Sequence, residues 1–180
     1  MSSIVLNGDT SGSVTVSVPA VSGSNTVTIP ATTGTVMVSS NMPAFSAYVV
    51  GSQTPSSGTP TKVQFNTKIY DTATCFNTSN YRFTPTVAGY YQVNALLTWG
   101  TTASATYLVI DIYKNGSSIL ENAVPSSSYC GATNSCGTVT YMNGTTDYLE
   151  IYAFNGAGGI ATSVGGTNLS NFSACLVRGA

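Results

Sequence analysis

The sequence predicts an all-β chain, an antiparallel sandwich or jelly roll preceded by a short β-rich N-terminal segment. Three observations carry this. Short runs rich in Val, Thr and Tyr, many of them alternating apolar with polar, recur along the chain. Gly, Pro, Asn and Ser separate these runs, as turn residues do. Nowhere does a long stretch combine a 3.6-residue apolar period with freedom from Gly and β-branched residues; the one helical candidate is 119–124, which Pro125 stops. The chain has 180 residues, 42% of them hydrophobic, which suits one domain with an appendage and argues against wholesale disorder.

Residues 1–42 form the appendage. Val16-Ser17-Val18-Pro19-Ala20 is echoed by Val27-Thr28-Ile29-Pro30-Ala31 at an offset of 11, and weakly again by Val36-Met37-Val38. Each copy reads as a short alternating strand ended by Pro or Ser and followed by a turn. So little apolar surface cannot fold alone. Such a segment must bury its face against a neighbour, and another copy of the chain is the nearest one.

Residues 43–180 form the main body. Strands are expected near 44–50, 62–71, 81–83, 89–99, 107–114, 138–142, 148–154 and 172–177. Lys114-Asn115-Gly116 predicts a tight hairpin, because Asn-Gly accepts positive φ at both central positions. The loops 51–61, 100–105, 126–137 and 155–167 are rich in Ser, Thr, Asn and Gly. Loops of that kind make adaptable polar contacts, although none is assigned a ligand.

Composition removes several function classes. Charged residues are 6% of the chain, and five Lys+Arg against six Asp+Glu leave a net charge of −1. No basic field is present to hold a phosphate backbone, so no nucleic-acid partner is expected. Histidine is absent, which excludes Ser-His-Asp and Cys-His units and His-based metal sites. Residues 1–12 lack the basic and apolar regions of a signal peptide, and no apolar run reaches the roughly 18 residues of a membrane helix, so no membrane insertion is expected. The Asn-x-Ser/Thr triplets at Asn77, Asn115, Asn143, Asn168 and Asn171 therefore read as turn and loop chemistry.

Cys130 and Cys136 share one loop and are placed to close a ring, whereas Cys75 and Cys175 read as buried strand residues; free thiols are the expectation. Asp111, Asp147 and Glu150 are the acids considered for sugar hydrolysis, but no second acid converges on any of them in the sequence. The six acids are scattered and predict no calcium site, and Gly156-Ala157-Gly158-Gly159 lacks the Lys-Ser/Thr and helix of a phosphate loop. No catalytic residue, metal or cofactor is expected, and the chain is read as no enzyme.

Two resemblances refine this reading. From Leu6-Asn7-Gly8 through Thr10-Ser11-Gly12, Val14-Thr15 and Pro19-Ala20 to Pro30-Ala31 and Thr33-Gly34-Thr35, the first forty or so positions resemble a piece common in bacteriophage tail and virion-fibre proteins. In the main body, Phe65 is followed after five residues by Asp71, after four by Phe76, after six by Phe83, after five by Gly89, and then by Tyr91. That series resembles the C1q-domain signature, departing from it at Val93 and Ala95, where the family carries aromatics. Pro43-Ala44-Phe45-Ser46-Ala47, Tyr113-Lys114-Asn115-Gly116 and the segments 144–151 and 172–177 resemble further strands of that family. The resemblance implies a C1q/TNF-like jelly-roll head that assembles as a homotrimer.

Alternation supports a trimer independently. With Tyr91, Val93, Ala95, Leu97 and Trp99 inward, Tyr90 and Leu96 face out; likewise Tyr48, Tyr152 and Phe154 on their own strands. Tyr48, Tyr90, Leu96, Tyr152 and Phe154 are therefore expected to form one contiguous patch, buried at a threefold contact. Together the resemblances imply a bacteriophage virion fibre or receptor-binding structural protein, assembled in the host cytoplasm and located in the virion. Its head would contact a host-surface glycan or protein, and residues 1–42 would engage another virion protein. A head fibre or capsid decoration protein is the alternative, and a bacterial extracellular C1q-like lectin a further one.

Overall fold

A computed structural model describes residues 3–29, 31, 33–34, 36–103, 107–125, 132–156, 160–163, 165–166 and 169–180. The chain divides into two compact units, Met1–Gly34 and Thr35–Ala180. The first unit holds β1 (Ser3–Asn7) and β2 (Ser13–Ser17), an antiparallel hairpin whose register runs from Ser3 opposite Ser17 to Asn7 opposite Ser13. The Gly8 amide donates to the Gly12 carbonyl at 3.0 Å and closes the turn. Ile4, Val5, Leu6, Val14 and Val16 are all more than half exposed, so neither face of the ribbon is covered. Of the three repeat copies only the first lies partly in a strand; 27–29 and 36–38 are not strands. An extended segment becomes a strand only with a hydrogen-bonded partner, and among the described residues those two copies pair with none.

The second unit contains β3 (Ala44–Tyr48), β4 (Thr61–Lys62), β5 (Thr67–Asp71), β6 (Phe76–Asn77), β7 (Arg82–Phe83), β8 (Gly89–Ala103) and β9 (Tyr107–Lys114). It continues with β10 (Ser117–Pro125), β11 (Thr133–Met142), β12 (Leu149–Asn155), β13 (Ile160–Ser163) and β14 (Ser170–Gly179). One six-stranded sheet has the order β10-β9-β12-β7-β6, with β4 on β12; the other has β11-β8-β14-β3-β5, with β13 on β8. Among the described residues every ladder is antiparallel, and the one parallel pairing is the isolated bridge between Ser57 and Asn155. Two such sheets with strands that switch between them make an antiparallel jelly roll.

Several elements depart from the sequence reading. The helical candidate 119–124 lies inside β10. Asn115 and Gly116 both take positive φ (53° and 82°), and that turn sends the chain straight back along β9, so ladder pairing overrides local propensity. The expected strand 62–71 is two strands on opposite sheets, β4 on β12 and β5 on β3, with Val63 and Phe65 buried where the chain crosses. Residues 100–103, 133–137, 155 and 160–163, read as loops, belong to β8, β11, β12 and β13. Of the other loop residues, 104–105, 126–131, 157–159, 164 and 167 lie outside the described residues.

The core lies between the two sheets. Along β8, Tyr91, Val93, Ala95, Leu97 and Trp99 are buried, and Tyr90, Gln92, Asn94, Leu96 and Thr98 face out, the alternation expected from sequence. Phe45 is stacked on Phe76 and Phe83 at 4.7 and 4.6 Å and meets Phe172 edge-on at 4.9 Å. The signature residues explain themselves here. Phe65, Phe76, Phe83 and Tyr91 fill the core. Asp71 accepts the Cys75 and Phe76 amides at 2.9 and 3.1 Å and holds the turn that places Phe76. At Gly89 a Cβ would collide with the Arg178 carbonyl and the Leu176 side chain, so only glycine lets β14 approach so closely.

Candidate functional site

The five residues expected in one patch lie on two different sheets. Tyr48 is on β3, Tyr90 and Leu96 are on β8, and all three face out from the β11-β8-β14-β3-β5 sheet. Tyr152 and Phe154 are on β12 and face out from the other sheet, on the far side of the sandwich. The expectation of a single patch is therefore corrected: alternation tells which way a side chain points from its strand, not which sheet the strand joins.

The outer face of the first sheet can be read row by row across the ladders. Tyr141, Tyr90 and Arg178 make one row, then Val139, Gln92, Cys175 and Ala44. Gly137, Asn94, Ser173, Ser46 and Tyr70 follow, then Ser135, Leu96, Asn171, Tyr48 and Thr67. Arg178 is the single charged residue in these rows. Tyr90 and Tyr141 meet edge to face at 5.5 Å and are each 42% exposed, beside Val139 at 52%. Cys175, expected to be buried, is exposed on this face; Cys75 and Cys136 are buried free thiols, and Cys130 lies outside the described residues.

The outer face of the second sheet carries a groove of about 360 Å³ along β9, between β10 and β12. Val109 and Asp111 are its floor. Tyr107 stacks on Phe154 (centroids 5.6 Å apart, planes at 25°) towards one end, and Tyr113 lies against Tyr152 (4.2 Å, 33°) towards the other. The ladders set Glu121 of β10 and Tyr152 of β12 on either side of Asp111. Glu121 is thus the second acid that the sequence did not reveal. It was hidden because 119–124 read as helix, and only the β10–β9 register brings it opposite Asp111.

Electrostatics set this groove apart. Glu150 is buried next to it but is gripped by Lys62 and by Arg82, whose Nε lies at 2.6 Å. Asp147, at the turn before β12, pairs with Lys114 at 3.0 Å and accepts from Asn115 at 2.8 Å. Asp71 pairs with Lys68 at 3.1 Å. Burial alone would raise all three carboxyls, yet these partners, joined by backbone amides at Asp71 and Asp147, hold each below its ordinary value. Asp111 is different. It is 8% exposed and accepts one hydrogen bond, from the Ser118 hydroxyl at 2.7 Å. Burial lifts its carboxyl, the Ser118 bond opposes the rise, and the charge of Glu121 adds to it. The chain has five Lys and Arg; four are spent in the pairs above and the fifth, Arg178, is on the other sheet. Among the described residues no basic side chain pairs with Asp111 or Glu121; Lys62, which lies 6.0 Å over the Tyr152 ring, is held by Glu150.

No family model and no curated protein matches the chain. Solved structures do match. The chain is similar to the globular domain of zebrafish complement 1qA protein, at 21% identity and a TM-score of 0.60, over 77% of this chain and 99% of that one. It is also similar to Eiger TNF from S. frugiperda, at 12% identity and a TM-score of 0.56 over 77% and 93% of the two chains. A third likeness is to the PRD1 vertex protein P5, at 14% identity and a TM-score of 0.54 over 75% and 96%. At such identities what is shared is the fold: the main body is a C1q/TNF-like jelly roll.

Proposed function

We propose that the protein is a homotrimeric structural component of a bacteriophage virion, with the jelly roll as its head and residues 1–42 as the segment that attaches it or forms a short shaft. The observation that carries this is the outer face of the β11-β8-β14-β3-β5 sheet. It is broad, it contains one charge in its rows, and it exposes Tyr90, Tyr141 and Val139 at one end with Tyr48 and Leu96 towards the other. A sheet face of that composition favours burial against copies of itself, at roughly 25 cal/mol per Å² of apolar area. Tyr48, Tyr90 and Leu96 remain trimer-interface residues in this reading, whereas Tyr152 and Phe154 leave the interface and line the groove. The likeness to a phage vertex protein and the fibre-like N-terminal piece support the virion assignment.

Light scattering of the full chain tests the assembly: about 55 kDa is expected, three times 18.5 kDa, and a monomer at micromolar concentration sinks it. The head contacts the host surface in the primary reading, and decorates the capsid in the second. Labelled antibody on intact particles separates the two, because a capsid location excludes the tail. The role is non-enzymatic; release of reducing sugar from host-surface glycans would overturn that part.

A further inference from the structure

We propose that the groove on the outer face of β9, β10 and β12 binds a glycan carrying free amino groups, its sugar rings against Tyr107, Phe154, Tyr113 and Tyr152 and an ammonium group between Asp111 and Glu121. This site needs neither the trimer nor the virion. Its volume, about 360 Å³, is that of a small-ligand site. Shape favours an extended ligand over a point cation. Tyr152 and Phe154 are two positions apart on β12, about 7 Å at 3.4 Å per residue, and each carries its own partner from β9, so the two aromatic pairs form neighbouring platforms along the groove rather than one cage.

Charge decides what must lie between the platforms. Each other buried carboxylate of the jelly roll has its own cation, and the Asp111–Glu121 pair has none although all five bases of the chain are accounted for. A carboxylate more than nine-tenths buried, facing a second acid and holding one hydroxyl, has a hydrogen bond but no opposite charge beside it among the described residues. Uncharged sugar hydroxyls supply hydrogen bonds only. An ammonium supplies both donors and the missing positive charge, in reach of aromatic faces that also attract it.

Titration calorimetry of the full chain with a glucosamine tetramer, an N-acetylglucosamine tetramer and choline tests this. Saturable binding of the glucosamine tetramer is expected, at least about tenfold tighter than either of the others, since one charge-assisted hydrogen bond is at stake. Glu121→Gln, at an exposed position, and Asp111→Asn should each weaken that binding about tenfold. Phe154→Ala should weaken it while the far-ultraviolet spectrum stays unchanged. The proposal is overturned by no saturable binding at millimolar tetramer, by equal binding of the N-acetylated tetramer, by binding indifferent to Glu121→Gln, or by choline matching the tetramer.

Discussion

Asn134 is the polar residue on which the two sheets are stitched together. It sits on β11, 1% exposed, and its amide is fully used. Oδ1 accepts from the Trp99 indole at 3.1 Å, and Nδ2 donates to the Leu108 and Asn122 carbonyls of the opposite sheet at 2.9 and 3.1 Å. Removing it strands a buried indole N–H and two acceptors. Asn134→Ala should therefore lower stability by about 2–3 kcal/mol, read as a shifted urea midpoint at unchanged slope. The carboxylates give a prediction with two signs. Asp71, Asp147 and Glu150 have folded values below their unfolded ones, so the stability they contribute is present above about pH 4.5 and is lost as pH falls through the depressed values. For Asp111 the folded value is raised, so its ionised form opposes folding and protonation relieves it. Asp71→Asn should lower the melting temperature at pH 7 and Asp111→Asn should raise it or leave it alone; a drop for Asp111→Asn would show that its charge is neutralised after all.

Among the elements, β8 and the β1–β2 ribbon sit at opposite extremes. β8 begins at Gly89, where the β14 backbone presses closest, and the register slips there between Leu176 and Arg178. Gly89→Ala forces that contact apart and should cost about 1–3 kcal/mol, as overpacking does. It is checked by denaturation together with amide exchange on β14. The β1–β2 ribbon has no covered face, and a two-stranded hairpin alone is marginal in water. A peptide of residues 1–34 should show coil by circular dichroism, and its amides should be protected only in the assembled protein. Protection in the isolated peptide would remove the need for a neighbour. Element by element, the sequence was most legible where the determinant is local. Alternation on β8 and the Asn115-Gly116 turn follow from a period of two and from positive φ. It was least legible for β10, whose helix-compatible residues form a strand because the turn before them lays them on β9.

For the whole molecule, the two outer faces are the functional question, and single substitutions on each separate them. Leu96→Lys places an ammonium in the middle of the charge-poor sheet face and should leave an 18.5 kDa folded monomer. Tyr152→Ser, on the opposite sheet, should leave the mass unchanged. Dissociation by both or by neither contradicts the proposed interface.

An all-β class, a core face on each main strand, the central hairpin and a charge-poor exterior were all readable from neighbouring residues, because side-chain alternation and turn chemistry act over a few positions. Sheet membership was not. Tyr152 and Phe154 belong opposite Tyr90 rather than beside it, and Glu121 meets Asp111 across a ladder, because strand order is set by which long-range pairings bury the core best. That competition is settled only when both sheets close on Phe45, Tyr91 and Trp99 together.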